Sequence, residues 1–413
     1  MKLVQSYKHI DSIFIQGSII FFVIMLLNFA LSSSPYSSLH SGKVGYLGTD
    51  ATFYFNTAYS MISCFMFLCF LKRFFRIDGI TVAFCFFILV SLFFNFSPDV
   101  INSCLFDIIS IMLVSTMASY DTKASNFTKY NEKSDKICLF AKFISLFILI
   151  GFILVILFPG RYGILSSTMS RDERGEVTLW VMLCLPILAL SCQLVNLLRK
   201  KASTLQLAIA LFACIITCMT ASRTAFLVYG ISICLFYWLK VKNKIILYIT
   251  IPIALIFIIT SDSVKELFLL GNTSITSDNI SDILNGRYDL WLFYIDTFIN
   301  NIAFGAGPNA LTEDVAASLG ATSEVGILKT AASYGIIPLL IEIYLIIQSF
   351  RAIKKIYISP HSFSHYDIFI AFLFLSSIIL IIQQHARIQN YGNLICWYSM
   401  FYMYNLNKKS KWN

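Results

Sequence analysis

Residues 80–97 read ITVAFCFFILVSLFFNFS, a mainly apolar block without a charged side chain. Because a helix rises 1.5 Å per residue, a block of roughly 20 residues crosses a hydrocarbon layer about 30 Å thick. The whole chain has the same character, with 58% apolar residues, 13% charged residues and a mean hydropathy of +0.76. Such a composition excludes a water-soluble globular protein. We therefore predict an all-α polytopic membrane protein.

Similar apolar blocks recur along the chain and predict about twelve transmembrane helices. They lie near residues 13–31, 53–71, 80–97, 101–118, 138–158, 177–198, 203–220, 223–239, 245–260, 324–348, 366–383 and 392–406. This pattern predicts three regions, namely helices one to nine (1–260), a single large loop (261–323) and helices ten to twelve (324–413).

Positive charge is concentrated in every second loop between these blocks. These loops, together with Lys2, Lys8 and Lys142, hold 22 of the 31 basic residues. The positive-inside rule makes that side cytoplasmic and predicts that both termini are cytoplasmic. Because the net charge of +9 is dispersed among short loops, we expect membrane lipids as its partners and no nucleic acid.

The opposite side carries few basic residues, and most of them are arginines. They are Lys43, Arg161, Arg171, Arg174, Arg223, Lys265, Arg287, Lys329 and Arg387. A guanidinium group binds phosphate and carboxylate groups through two parallel hydrogen bonds, so this preference suits a diphosphate or an acidic sugar. Ordinary loop salt bridges are the alternative, above all for Arg171 and Arg174 beside Asp172 and Glu173.

Two features stand out in the second half of the large loop. Apolar residues recur at helical spacing and predict an amphipathic helix at the membrane interface; they are Trp291, Tyr294, Ile295, Phe298, Ile299 and Ile302. The segment FGAGPNA at 304–310 follows, where Gly305 and Gly307 can adopt positive φ and Pro308 prevents continuation of the helix. The segment is either a plain sharp turn or a turn that presents backbone N–H groups to an anion.

Three segments resemble motifs of the Wzy-type O-antigen polymerases, which belong to the O-antigen ligase and polymerase superfamily of bacterial inner-membrane proteins. They are ASRTAFL at 221–227, GRYDLW at 286–291 followed by FGAGPNA, and SEVGILKTAASYGIIPLLIE at 323–342. PGRYG at 159–163 is similar to an Arg-containing loop of the superfamily, but it lacks the Pro-Asn that often follows. The topology, with one large late outer loop, resembles the superfamily as well.

The resemblance implies a GT-C-like glycosyltransferase in the inner membrane with a periplasmic active site. Its substrate would be an undecaprenyl-diphosphate-linked oligosaccharide, it would need no cofactor, and a chain-length regulator and a flippase are candidate protein partners. Ligases of the superfamily typically have His-Asn where this chain has Ser323 and Glu324, which favours a polymerase. A ligase acting on lipid A-core stays open, as does a flippase or exporter of the same oligosaccharide. The absence of two similar halves speaks against a transporter.

The resemblance and the chemistry together indicate candidate site residues. Arg223 and Arg287 would stabilise the departing diphosphate, and Glu324 would be the general base, although an acid in the first turn of a helix is also favoured by the helix dipole. Candidate substrate-binding residues are Arg161, His385, Arg387, Trp291, Gly305 and Gly307. His385 has the alternative of being an ordinary exposed loop residue.

The remaining chemistry-bearing residues indicate less. The five histidines are scattered and no outer Asp-x-Asp occurs, so we expect no metal site. The eleven cysteines fall almost wholly within predicted spans and are interpreted as packing residues. Asp107, inside the fourth predicted helix, either lines a sugar groove or bonds a neighbouring Ser or Tyr. Glu342 is placed toward the cytoplasmic end of the tenth helix, where a structural role is expected.

Overall fold

A computed structural model describes residues 12–19, 78–95, 98–128, 136–157, 176–219, 223–240, 287–308, 326–383 and 391–409. Throughout these ranges the regular secondary structure is helical. The helices are α1 (Gly79–Phe94), α2 (Pro98–Thr128), α3 (Lys136–Leu157), α4 (Glu176–Leu198), α5 (Thr204–Met219), α6 (Arg223–Lys240), α7 (Arg287–Asn300), α8 (Gly326–Tyr334), α9 (Ile336–Ile358), α10 (His365–Gln383) and α11 (Tyr391–Lys409). Residues 13–19 are also helical, and Pro360–Ser362 form a 3₁₀ turn.

The helical class is confirmed within these ranges, and the architecture is consistent with a membrane protein. Of the described helices, α9 is long and apolar enough to cross a membrane by length and composition. Shorter apolar stretches occur at Gly79–Phe94, Ile137–Ile150, Leu185–Leu198, Thr204–Thr217, Leu227–Lys240 and His365–Ile378. The spans predicted near 53–71 and 245–260 lie outside the described residues.

Helix α2 extends beyond the predicted end at residue 118 and continues to Thr128. The extension brings Asp121 to the start of the helical segment 13–19. There its carboxylate accepts hydrogen bonds from the backbone N–H groups of Ile13 (2.9 Å) and Phe14 (3.2 Å) and from the hydroxyl of Ser12 (3.0 Å). The first N–H groups of a helix lack intrahelical partners, so Asp121 acts as a cap supplied by a distant part of the chain.

The span predicted over 324–348 is two helices rather than one. Gly335 separates α8 from α9 and has a φ of 83°, a left-handed conformation that interrupts an α-helix. Helix α9 then continues to Ile358, ten residues beyond the predicted end. Glu342 therefore does not lie toward the far end of its helix, as the predicted span 324–348 has it, but in the second turn of α9.

Contacts divide the chain into two compact units, each described by itself. In the first unit (1–75, 117–232 and 359–376), α3, α4 and α5 pack on one another, and the rings of Phe152 and Phe212 meet edge to face at 5.3 Å.

In the second unit (76–116, 233–358 and 377–413), α9 packs against α11, α1 and α8. Asn407 of α11 donates a hydrogen bond to Gln348 of α9 at 2.7 Å, and the rings of Phe84 and Trp397 meet edge to face. This second unit contains α7 and the glycine turn that follows it.

Candidate functional site

Helix α7 begins at Arg287, as the amphipathic pattern predicts, and one side of it is buried in the protein. Leu290 and Tyr294 are 0% and 1% exposed and form a small core with Ala332 of α8. Partly buried side chains complete this core; they are Trp291, Phe293, Phe298 and Leu328. The indole of Trp291, a candidate substrate contact, therefore packs against the protein core along part of its surface.

The apolar residues of α7 do not share one environment. While Tyr294 is buried, Ile295 and Ile299 are exposed by 40% and 59%, and Ile302, just after the end of α7, is exposed by 50%. Asp296 and Asn300 are also exposed. Helix α7 thus anchors itself to the protein with one apolar surface and leaves a second apolar surface uncovered by the described residues. That the helix lies at the membrane interface stays a prediction.

The segment after α7 is a sharp turn whose backbone N–H groups are already bonded. The N–H groups of Gly305, Ala306 and Gly307 donate to the carbonyl oxygens of Asn301 (2.9 Å), Ala332 (2.7 Å) and Ser333 (3.0 Å). The suggestion that Gly305 and Gly307 present these groups to an anion is therefore wrong. The alternative holds: the glycines form a turn that ties the end of α7 to the end of α8.

Only glycine fits this turn. Gly305 has a φ of 71°, and a Cβ atom built on it would lie 2.3 Å from the backbone carbonyl of Ser333. Gly335, on the opposite side of the joint, has a φ of 83°, and its Cβ would lie 2.5 Å from the carbonyl oxygen of Ala303. Two backbone segments thus approach more closely than any side chain would allow.

Helix α1 supplies two further contacts that the sequence did not indicate. The Asn95 side chain, next to the end of α1, donates to the carbonyl oxygen of Gly305 at 3.2 Å, and the Ser91 hydroxyl donates to that of Ser333 at 3.0 Å. A Cβ on Gly307 would also lie 3.1 Å from the Cβ of Asn95. The only local signal is a polar residue after an apolar run, since 210 residues separate Asn95 from Gly305.

Helices α7 and α8 lie side by side with the same direction. Their ends meet at the glycine joint, where Ile336 N–H donates to the carbonyl oxygen of Ile302 at 2.8 Å. From that joint both helices extend backward, packed through Leu290, Tyr294 and Ala332. The N-termini of α7 and α8 therefore lie at the same end of the pair, and each contributes the positive end of a helix dipole there.

Three charged side chains are buried around α8 in the second unit. Asp107, Lys329 and Glu342 are 0%, 8% and 1% exposed. The hydroxyl of Tyr334 donates a hydrogen bond to Asp107, which is the second of the two alternatives for this acid, a bond to a Ser or Tyr. The hydroxyl of Thr330, next to Lys329, donates a hydrogen bond to the carbonyl oxygen of Gly326 at 3.2 Å.

The other candidate residues are located only along the chain. Arg287 and Arg223 are the first residues of α7 and α6, and their side chains lie outside the described part. Arg161, Glu324, His385 and Arg387 lie outside the described residues altogether. In the described ranges no group of three His, Cys, Asp or Glu side chains could hold a metal ion.

Comparison with known proteins gives one family. Residues 208–342 match the family described as O-antigen ligase. Neither a curated protein nor a solved structure matches the chain. The matched segment contains the whole of α6, which begins at Arg223, the whole of α7 with its glycine turn, the whole of α8, and α9 as far as Glu342. This match confirms the chain's resemblance to the O-antigen ligase and polymerase superfamily.

Proposed function

We propose that the protein polymerises O-antigen repeat units at the periplasmic face of a bacterial inner membrane. It would transfer the growing glycan from undecaprenyl diphosphate to a sugar hydroxyl of one lipid-linked repeat unit. The observation that carries this proposal is the parallel pair α7 and α8, which lies within the matched segment and has Arg287 at its open end. Glu324 precedes the first residue of α8 by two positions.

In this reaction the acceptor oxygen forms a bond to the anomeric carbon while the bond from that carbon to the diphosphate oxygen breaks. The diphosphate leaves with the bonding electrons and gains negative charge. Arg287 and Arg223 would stabilise this charge, because a preorganised guanidinium binds the departing diphosphate more strongly in the transition state than in the ground state. The two helix N-termini add positive potential at the same end.

The acceptor hydroxyl loses its proton as it attacks, so a general base must lie within hydrogen-bonding reach. We assign this role to Glu324. By sequence Glu324 comes just before the start of α8, and a helix N-terminus favours the ionised form of a carboxylate, the form that a general base needs. Arg161, His385 and Arg387 would bind the phosphates and sugars around this centre.

Gly305 and Gly307 have a different role from the one that their motif first indicated. Their N–H groups bond to the protein, so they would hold α7 and α8 in register and not contact the glycan. Trp291, partly exposed beside the core, would offer a ring surface to a sugar. The uncovered isoleucines of α7 would face lipid or the polyprenyl chain.

A ligase that transfers finished glycan to lipid A-core is the second candidate, because the matched family is described as O-antigen ligase. The chemistry at the diphosphate would be the same and only the acceptor would differ. Ser323 and Glu324, in place of the His-Asn pair typical of ligases, favour the polymerase.

Lipopolysaccharide from a deletion strain distinguishes these functions. We expect the strain to make core carrying a single repeat unit, and the wild-type gene on a plasmid to restore a ladder of longer chains. Core without any repeat unit in the deletion strain would show that the protein is a ligase or a flippase. In that case, lipid-linked polymer on the periplasmic side would identify a ligase, and retention of single lipid-linked repeat units on the cytoplasmic side would identify a flippase.

A further inference from the structure

A buried hydrogen bond links α2 to the end of α8. Asp107 and Tyr334 are 0% and 1% exposed, and the tyrosine hydroxyl donates to the aspartate carboxylate across 227 residues of sequence. Burying a carboxyl group away from water is costly, and acids inside membrane proteins usually have a function. Asp107 has no role in the proposed steps of glycan transfer.

The other side of Tyr334 meets the glycine turn directly. Its backbone nitrogen lies 2.4 Å from where a Cβ of Gly305 would be, and the carbonyl oxygen of the preceding Ser333 accepts the N–H of Gly307 at 3.0 Å. Ser91 donates to that same carbonyl oxygen. Tyr334 thus directly follows the two residues of α8, Ala332 and Ser333, whose carbonyl oxygens bond to the turn that ends α7.

We propose that Asp107 is a positioning residue for glycan transfer, acting through Tyr334. By accepting the phenol hydrogen bond, Asp107 fixes the end of α8, and this end fixes the glycine turn and the direction of α7. The arrangement sets a defined separation between the start of α7, where Arg287 lies, and the start of α8. The inference rests on the proposed function, because it assumes that glycan transfer takes place at these two helix starts.

Asp107 does not act as the general base. Its side chain has no solvent exposure, and its carboxylate is engaged by Tyr334. A group that acts by accepting a hydrogen bond can be replaced by another acceptor, whereas a base or a required charge cannot. This difference provides the test.

The experiment uses purified full-length protein and lipid-linked repeat units extracted from the deletion strain, and it measures kcat and KM for chain extension. Asp107→Asn keeps an acceptor oxygen, Asp107→Leu removes it at similar volume, and Tyr334→Phe removes the donor. We expect Asp107→Leu and Tyr334→Phe to lower kcat about tenfold or more with KM changed less than about twofold, because misplaced helix starts weaken transition-state contacts. Asp107→Asn should stay within about threefold of wild type.

The double variant Asp107→Leu/Tyr334→Phe should be no slower than the slower single variant, since both changes remove the same bond. Asp367→Asn is the matched control. Asp367 is 3% exposed and accepts hydrogen bonds from Ser364 nearby in sequence, so its variant should keep the wild-type kcat per folded molecule.

Two results would overturn the inference. If Asp107→Asn is as slow as Asp107→Leu, the charge and not the hydrogen bond matters. If Tyr334→Phe lowers only the yield of folded protein and leaves kcat per folded molecule unchanged, the pair is purely structural. Failure of the proposed function gives a different result, because the wild-type protein would then transfer glycan to lipid A-core without extending it. The kcat values of the variants would in that case be compared for this transfer. Wild type with neither activity contradicts both proposals.

Discussion

At the scale of single residues, the central feature is the glycine joint between α7 and α8. Among the described residues, the glycines with positive φ are Gly305, Gly307 and Gly335, and all three lie at this joint. Their small size allows one backbone to lie directly on the other, so that carbonyl and N–H groups pair across the contact. A joint built from backbone contacts has little freedom to change the angle between the helices.

Gly305→Ala should therefore destabilise the protein. The new methyl group would meet the carbonyl of Ser333 at 2.3 Å in a left-handed backbone conformation, and we expect a cost of about 1–3 kcal/mol or more. The unfolding midpoint of purified protein in detergent measures the effect. Gly230→Ala is the control, because its Cβ would have no neighbour within 4 Å and alanine favours a helix. If the unfolding midpoint of Gly305→Ala is unchanged, like that of Gly230→Ala, this account of the joint is contradicted.

The sequence predicts part of this joint at the residue scale. The positive φ of Gly305 and Gly307 and the turn before Pro308 follow from local residue chemistry. The partners of their N–H groups do not, because Ala332 and Ser333 lie in another helix and Asn95 lies in a third. The local sequence thus indicates where the chain turns, whereas the residues that the turn contacts are known only from the tertiary structure.

At the scale of elements, apolar periodicity predicts where helices lie but misses a break inside an apolar run. Residues 324–348 form a mainly apolar stretch around Gly335, and hydropathy alone overlooks the local signal for a helix end that Gly335 and Pro338 supply. The contact with Ala303 explains the break, because the chain must bend to let the end of α7 approach. The same shift moves Glu342 into the second turn of α9.

The start of α1 and the end of α11 are joined by an ion pair that makes stability depend on pH. Lys408 Nζ lies 2.9 Å from Asp78 Oδ1. Burial raises the pKa of Asp78, but hydrogen bonds from Tyr404 and Lys408 and the charge of Lys408 outweigh it, so its pKa is lower than in the unfolded chain. The carboxylate therefore adds stability at any pH above its unfolded pKa, about 3.9, and this stability is lost as the pH falls through the lower folded value.

Asp78→Asn isolates this charge, because asparagine can still cap a helix as Asp78 caps α1. At neutral pH we expect the variant to be less stable by up to about 1 kcal/mol, since the Lys408 side chain is 55% exposed. Unfolding midpoints measured from pH 7 down to about pH 2 should stay apart above about pH 4 and converge below it as Asp78 becomes protonated. A difference that persists at the lowest pH would mean that the charge is not its cause.

At the scale of the whole molecule, composition and charge distribution predict the class of protein and its expected orientation. The assembly of helices into two units could not be predicted, because contacts such as Asp107 with Tyr334 join residues 227 positions apart. For the candidate site, the sequence indicates which motifs are involved but not how their residues are arranged in space. Arg287 does begin a helix, whereas the anion-binding alternative for the glycines and the placement of Glu342 within its helix needed correction.

The predicted orientation can be tested with alkaline phosphatase, which is active only where its disulfides form, outside the cytoplasm. Phosphatase inserted after Ser274, in the large loop, should be active. Fusions after Asn243 and after Asn413 should be inactive while being produced at comparable levels. Activity at Asn413 would place the C-terminus on the opposite side and contradict the positive-inside assignment.

The central claim is that the start of α7 takes part in glycan transfer. The most direct test is the length distribution of O-antigen in the deletion strain that carries the Arg287→Ala variant. Asp289→Asn, two positions along the same helix turn, is the matched control, and an immunoblot checks the amount of each protein. We predict core with a single repeat unit for Arg287→Ala and a full ladder for Asp289→Asn. A full ladder from normally expressed Arg287→Ala protein would show that the transfer reaction does not depend on this arginine.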